Sequence, residues 1–150
     1  MIRSGLEHGG SVARMARRVG FSSAHLYRQP NFSDEDNRRI FGRCFTAHGH
    51  GHDYVLEAFL EGPIDPSTGL LANLIDVDKV LKEVTDPLDH RHLNFDIAYF
   101  KDRVPTTEII AQHCFRELAP KLKAAFPSAP LRLYKVRLFE TEDLYVEYSE

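Results

Sequence analysis

The chain has 150 residues, enough for one domain, and its 19 basic and 22 acidic side chains give a formal net charge of −3. This balance argues against a nucleic-acid-binding protein or a basic membrane-surface protein, and a composition of 43% hydrophobic and 27% charged residues excludes a disordered chain. Because two cysteines exclude a disulfide framework and no apolar run reaches the length of a membrane span, we expect a soluble cytoplasmic domain with no nucleic-acid or membrane partner.

The N-terminal half of the chain predicts a tail and two strands. Residues 1–12 contain a Gly-Gly pair and no periodicity, so we expect a flexible tail before a single domain over residues 13–150. Apolar and polar side chains alternate over residues 13–25, which predicts a first strand. A polar stretch over 29–43 predicts a long loop with at most one helical turn. Alternation resumes over 50–61 and predicts a second strand.

The C-terminal half predicts two helices followed by two strands. Apolar residues recur at helical spacing over 74–85 and 105–125, with a loop over 88–104 between them. Alternating runs over 131–140 and 143–149 predict a closing hairpin. The order strand, strand, helix, helix, strand, strand indicates an α+β fold with a four-stranded antiparallel sheet of two hairpins and both helices on one face. The other face would stay uncovered and apolar in one chain, which favours an oligomer.

A histidine triplet at the start of the second predicted strand indicates a metal site. Single glycines separate His48, His50 and His52, and residues i and i+2 of a strand point to the same face, so two imidazoles can converge on one ion. A third ligand must come from elsewhere, and His25 is the best candidate because it ends the neighbouring strand. The shared face leaves open whether the pair is His48 with His50 or His50 with His52. Three neutral imidazoles with one open position are typical of a catalytic zinc site.

Three residues outside the histidine triplet indicate proton-transfer chemistry. Cys44 is either a small buried apolar residue or a thiol whose pKa is lowered by Arg43 and a nearby dication. Asp89 stands directly before His90, and a carboxylate beside a histidine can fix its tautomer and make it a general acid or base. These residues are therefore candidates for the groups that remove and return protons.

A carboxylate near the C-terminus indicates a polar ligand. Glu140 ends the third predicted strand, where its same-parity neighbours, among them Tyr134, are apolar. A carboxylate on an apolar face needs a partner, and the guanidine-like edge of a pterin or guanine offers two parallel N–H donors. Thr106, Thr107 and Glu108 open the second predicted helix, where threonines and acidic residues are ordinary caps.

Taken together, these motifs resemble those of the 6-pyruvoyl-tetrahydropterin synthase family, which includes the bacterial 6-carboxy-tetrahydropterin synthases of queuosine biosynthesis. The resemblance implies the tunnelling fold, with subunits joined through their sheets into trimeric rings, two rings stacked as a hexamer, and active sites at subunit interfaces. The motifs that carry it are, in chain order, Phe21–His25, Phe41–Cys44, His50–Tyr54, Leu88–Asn94, Pro105–Glu108 and Phe139–Thr141.

The resemblance also implies roles for ten residues, and it selects His50 with His52 as the ligand pair. It implies Zn²⁺ as the cofactor and a small-molecule pterin as the substrate, with Glu140 as the pterin anchor. The implied roles are zinc ligands for His25, His50 and His52, catalysis for Cys44, Asp89 and His90, and substrate binding for Thr106, Thr107, Glu108 and Glu140.

The activity that the resemblance implies is that of a zinc-dependent lyase converting 7,8-dihydroneopterin triphosphate to 6-pyruvoyl-tetrahydropterin with loss of triphosphate. One alternative is 6-carboxy-tetrahydropterin synthase, which acts on the same substrate and releases acetaldehyde as well. Cys44 fits both types, since five residues separate it from His50 and three from His48. The long 31–41 segment favours the pyruvoyl type. Further alternatives are a non-catalytic pterin- or metal-binding member and another tunnelling-fold chemistry, such as an aldolase or cyclohydrolase.

Overall fold

The computed structural model describes residues 12–150, which form one sheet with the two long helices packed against one of its faces. The predicted tail over residues 1–12 lies outside the described residues except for Val12, which begins the first strand. No helix in this described part of the chain is long and apolar enough to cross a membrane. The elements in chain order are β1 (Val12–His25), α1 (Asp34–Phe41), a 3₁₀ turn (Gly42–Cys44), β2 (His50–Pro63), α2 (Leu74–Thr85), β3 (Arg91–His92), α3 (Leu93–Asp96), a second 3₁₀ turn (Ala98–Phe100), α4 (Thr107–Ala125), β4 (Arg132–Thr141) and β5 (Leu144–Tyr148).

The sheet contains the two predicted hairpins and one additional strand. Strands β1 and β2 pair antiparallel, as do β4 and β5, and β2 joins the hairpins by pairing with β4. The full order is β3-β1-β2-β4-β5, so the prediction of a four-stranded, wholly antiparallel sheet was wrong. Strand β3 runs parallel to β1 and pairs through only two residues, Arg91 and His92, a length that leaves no readable alternation. A backbone hydrogen bond from His90 N to Ser22 O, 2.6 Å long, holds this segment at the β1 edge.

The stretch predicted to be a long polar loop contains helix α1, so this prediction was wrong as well. Ser33 accepts a hydrogen bond from the backbone of Asp36 and caps the helix. Asn37 is completely buried, and its amide donates to three backbone carbonyls of the preceding loop. Helix α1 ends at Phe41 and leads directly into the 3₁₀ turn that carries Cys44. This internal bonding fixes the segment that presents the cysteine.

The core lies between helices α2 and α4 and the sheet face formed by the even-numbered residues of β2. Tyr54, Leu56, Ala58 and Leu60 are each at most 1% exposed, which confirms the predicted inward face of this strand. Burial of each large apolar side chain contributes roughly 1.5–3 kcal/mol. From α4 they meet the predicted apolar stripe of Ile110, Cys114, Leu118 and Leu122.

A β-bulge changes the predicted face of one β4 residue. The register between β2 and β4 shifts between Phe59 and Leu60, so Leu133, rather than Tyr134, pairs with Leu60. Tyr134 therefore leaves the helix-covered face, and the Arg14 guanidinium lies 4.3 Å from its ring centre. Beyond the bulge the strand follows the prediction, and Glu140 is only 9% exposed at its end.

The sheet face away from the helices is charged, which corrects the expectation of an uncovered apolar face. Arg137 lies over the Phe59 ring at 5.2 Å, so cations cover the apolar groups of this face. Two nearly buried glutamates sit among arginines, and the pairs are Glu57 with Arg18 and Arg137, and Glu61 with Arg14 and Arg132. An exposed apolar row on this face is thus not a reason to expect assembly.

Candidate metal centre and active site

Three histidines meet where strands β1 and β2 begin and end. The strand register places His25 opposite His50, and His52 follows two residues later on the same face. One nitrogen of each ring lies within 4.8 Å of the others, and the Nε2 atoms of His25 and His50 are 3.3 Å apart. A tetrahedral ion with metal–nitrogen bonds of about 2.0–2.1 Å holds its ligands roughly 3.3–3.4 Å apart, so these three residues can hold a metal ion. His48 is exposed and lies outside the group.

His25 is held in the tautomer that a metal ligand requires. Its Nδ1 atom lies 3.1 Å from the carbonyl oxygen of Pro105, which can only accept a hydrogen bond, so Nδ1 carries the proton and Nε2 is a bare acceptor. The Tyr54 hydroxyl is 3.0 Å from the same Nδ1 atom. Burial lowers the pKa of His25 to about 4, and the neighbouring His50 and His52 lower it further. The ring is therefore neutral at pH 7.

His52 presents a nitrogen that is buried without a hydrogen-bond partner. Its Nε2 lies 3.3 Å from Glu140 Oε1, yet the geometry between them is not that of a hydrogen bond. Burial lowers the pKa of His52, against the opposing charge of Glu140. An unsatisfied buried nitrogen costs about 1–3 kcal/mol, and a metal ion that accepts its lone pair would remove this cost. The donor set of three neutral imidazoles therefore fits a zinc ion.

Gly49 allows the loop before β2 to lie against β1. Its φ is +78°, a conformation that L side chains rarely adopt, and a β-carbon there would lie 2.8 Å from the carbonyl carbon of His25 and closer still to its oxygen. Only glycine lets the chain pass between His48 and His50 without displacing His25.

We expect Gly49→Ala to destabilise the fold by at least about 2 kcal/mol and to weaken metal binding, because both backbone strain and a steric clash fall on a ligand residue. The measurements are the free energy of unfolding and metal affinity in competition with a chelator. Gly69→Ala is the matched control, since Gly69 has a φ of +72° but nothing within 4 Å of an added β-carbon. Equal losses in both variants would show that the clash with His25 is unimportant.

Cys44 lies beside the three histidines, as the sequence predicted. Its Sγ atom is 4.0 Å from His50 Nε2, and its carbonyl accepts a 2.9 Å hydrogen bond from Tyr27 N. The prediction that Arg43 lowers the thiol pKa was wrong: Arg43 is exposed, while burial and, secondarily, the charge of Glu140 raise the pKa of Cys44. A cation held by the histidines would act in the opposite direction and favour the thiolate.

Asp89 and His90 lie at the outer edge of β1 and not against Cys44. Asp89 accepts a 2.7 Å hydrogen bond from Ser22 N and lies 2.8 Å from His90 Nδ1, and the first of these contacts is the main cause of its lowered pKa. The His90 side chain is 83% exposed, and its φ is +55°. Among the described residues no hydrogen bond joins Cys44 to either of them. A cleft of about 470 Å³, lined by both His90 and His52, runs along this edge.

The predicted substrate residues separate into different positions at the start of α4. The Thr107 hydroxyl donates a short hydrogen bond to Glu140 Oε2, so these two residues form one polar unit beside His52. Thr106 instead caps α4 by accepting a hydrogen bond from the backbone N–H of Ile109. Glu108 is exposed in the first turn of the helix.

Two tyrosines belong to this site and were not predicted. The Tyr27 ring lies edge-on to His25, with 4.8 Å between ring centres, and Tyr54 lies on its other side through the Nδ1 contact. Both continue an alternation that is visible in the sequence, since Tyr27 is two residues beyond His25 and Tyr54 two beyond His52. Strand parity extended past the histidines would have found them.

Comparisons with known proteins agree in pointing to one family. The family described as 6-pyruvoyl tetrahydropterin synthase matches residues 14–150. The 6-pyruvoyl tetrahydrobiopterin synthase of Homo sapiens is 39% identical over 138 residues, which are 91% of this chain and 91% of that protein. A protein of Archaeoglobus fulgidus provisionally named 6-carboxy-5,6,7,8-tetrahydropterin synthase is 31% identical over 98 residues, which are 65% of this chain and 73% of the relative. The solved structure of Caenorhabditis elegans 6-pyruvoyl tetrahydropterin synthase covers 94% of this chain and 97% of its own, with a TM-score of 0.84 and 35% identity.

Proposed function

Because the chain belongs to the 6-pyruvoyl tetrahydropterin synthase family, we propose that it is a lyase that converts 7,8-dihydroneopterin triphosphate to 6-pyruvoyl-tetrahydropterin with loss of triphosphate. Residues 13–150 form the proposed catalytic domain. The observation that carries the proposal is the placement of a thiol 4.0 Å from a group of three histidines that can hold a metal ion. The conversion is an internal redox reaction followed by elimination, and it needs no external reductant.

The proposed cofactor is zinc, held by His25, His50 and His52. Three neutral imidazoles and a free coordination position suit Zn²⁺, and the unpartnered Nε2 of His52 supports the assignment. When bound, the ion polarises the hydroxyl oxygens of the substrate side chain and makes the adjacent protons more acidic. The protein supplies the fixed orientation of the ligands through Pro105 and Tyr54.

The proposed proton-transfer groups are Cys44, Asp89 and His90. Cys44, the residue beside His50, removes a proton from the substrate side chain as its thiolate. Asp89 fixes the tautomer of His90, which passes protons to and from the substrate. A catalytic free thiol persists in a reducing compartment, so we propose a cytoplasmic location.

The proposed pterin anchor is Glu140, whose carboxylate can accept two parallel N–H donors from the pterin ring. Thr107 holds one of its oxygens, and the other faces His52. Thr106 and Glu108 complete the substrate-binding set at the start of α4, where Glu108 stands at the exposed rim. The ring is thus bound next to the metal position, and the side chain extends from it toward Cys44.

The test is identification of the product. The zinc-loaded protein is incubated with 7,8-dihydroneopterin triphosphate, and the pterin product, triphosphate and acetaldehyde are measured. We expect 6-pyruvoyl-tetrahydropterin and no acetaldehyde, since the pyruvoyl-forming human relative matches more of the chain at higher identity than the archaeal one. Acetaldehyde with a 6-carboxy product would establish the alternative activity, and no turnover would overturn both.

We further propose that copies of the chain assemble as two stacked trimeric rings, with the active site completed between subunits. Two features support this assembly. Strand β3 covers β1 at only two positions, so most of the outer β1 edge can pair with another subunit. His90 is exposed at that edge and is not bonded to Cys44 of its own chain, so a second copy can bring the two together.

A subunit-mixing experiment tests the shared site. Cys44→Ala and His90→Ala are each expected to be inactive, whereas an equal mixture, dissociated and reassembled, regains about a quarter of wild-type activity. That fraction is the chance of one half that a site has an intact thiol, multiplied by one half that its neighbour has an intact imidazole. A mixture as inactive as its components would indicate that both residues act within one chain.

A further inference from the structure

The Tyr27 side chain lies at the centre of the proposed site and has no role in the mechanism above. Its ring packs edge-on against His25 on one side, at 4.8 Å, and against Phe41 on the other, at 5.7 Å. Its backbone N–H donates to the carbonyl of Cys44. Three elements therefore fix the position of the phenol: the end of β1, helix α1 and the turn that carries the thiol.

The phenol group is directed toward the pterin anchor. It reaches the side chain of Thr107, and Glu140 and Cys44 are both close enough to act on it electrostatically. Burial, with these two negative groups, raises the pKa of Tyr27 above its usual value, so the phenol remains protonated at neutral pH. It is therefore a permanent hydrogen-bond donor in the pocket.

The direction of the hydrogen bonds follows from proton counting. The Thr107 hydroxyl has one proton and donates it to Glu140 Oε2, so toward Tyr27 it offers only a lone pair. The bonds thus run from the Tyr27 O–H to Thr107 and from Thr107 to Glu140. Donation by the phenol polarises the Thr107 hydroxyl and strengthens its hold on the carboxylate.

We propose that Tyr27 is a positioning residue that acts through Thr107 to hold the Glu140 carboxylate in the orientation that accepts the pterin ring. This inference rests on the proposed function, because it assumes that Glu140 is the pterin anchor. The Tyr27 ring also closes the wall between His25 and Thr107, so it lies along the path that the substrate takes from anchor to metal.

The experiment compares wild type with Tyr27→Phe, which keeps the ring and removes only the hydroxyl. Neopterin, a fluorescent pterin that lacks the triphosphate, is titrated into the metal-free protein, and KM, kcat and zinc content are measured on the loaded enzyme. We expect Tyr27→Phe to bind neopterin about tenfold more weakly and to raise KM by a similar factor. The kcat changes less, and the zinc content is unchanged. Tyr99→Phe is the matched control, because that phenol bonds to Gln112 on the helix body.

Each other result overturns the inference in a distinguishable way. Unchanged neopterin binding in an active Tyr27→Phe enzyme would show that the hydroxyl has no positioning role. Loss of zinc from this variant would make Tyr27 a structural support of His25, and an equal effect in Tyr99→Phe would indicate a general loss of stability. A wild-type protein that neither binds neopterin nor turns over the substrate would end the proposed function and this inference together.

Discussion

Replacing Cys44 with alanine is expected to lower kcat on 7,8-dihydroneopterin triphosphate by about 10²–10⁴-fold, the usual contribution of a positioned general base. The expectation follows from the place of Sγ, 4.0 Å from His50 Nε2 and therefore next to whatever substrate atom occupies the open side of the metal. Cys44 is only partly buried, so the substitution leaves little empty space and the fold should be unaffected. Steady-state kinetics together with metal analysis of the variant measure the effect.

The second cysteine of the chain provides the control. Cys114 is completely buried on α4, and burial raises its pKa to about 12, so it remains an inert thiol in the core. Cys114→Ala should lower the free energy of unfolding through the cavity it leaves and should keep kcat close to wild type. A Cys44→Ala enzyme with wild-type kcat would refute the assignment of the base and would favour a non-catalytic or differently catalysed member of the family.

Replacing His50 with alanine should remove the bound metal and with it the activity. The Nε2 atom of His50 is 3.3 Å from that of His25, and loss of one of three protein ligands should weaken the affinity by more than the 10–100-fold typical of losing an outer-shell partner. His25 and His52 would remain neutral at pH 7, because burial lowers both pKa values, but two imidazoles hold zinc weakly. Metal content after dialysis and chelator competition provide the measurement.

His48→Ala is the matched substitution two residues earlier. Its side chain is exposed, and only its backbone carbonyl is used, 3.2 Å from His92 Nε2. We expect full metal content and activity in this variant. If instead His48→Ala lost the metal and His50→Ala kept it, the ligand pair would be the other one that the histidine triplet permits.

The metal group could be predicted from sequence because it follows from strand parity alone. Residues two apart on a strand share a face, and His25 at the end of β1 pairs with His50 at the start of β2. Glu140 was found in the same way, since the residues before it on its face are apolar. The two tyrosines at His25 obey the same alternation, but phenols carry no metal-ligand signature that would single them out.

The remaining differences arise where structure depends on few or distant residues. Strand β3 has two residues, too few for any period, and its place depends on backbone hydrogen bonds to β1. The bulge that turns Tyr134 outward adds one residue to β4, and nothing in its side chains marks the insertion. The relation between Cys44 and His90 is a third case, because a contact made between two copies leaves no trace in the order of residues within one.

The first turn of α4 touches both ends of the pocket. The carbonyl of Pro105 meets His25, and two residues later Thr107 bonds to Glu140. A single stretch of backbone therefore sets the length over which a ligand must span from carboxylate to ion. A compound whose ring and hydroxyls are spaced differently could satisfy one end but not the other, so this turn acts as a selector of molecular size.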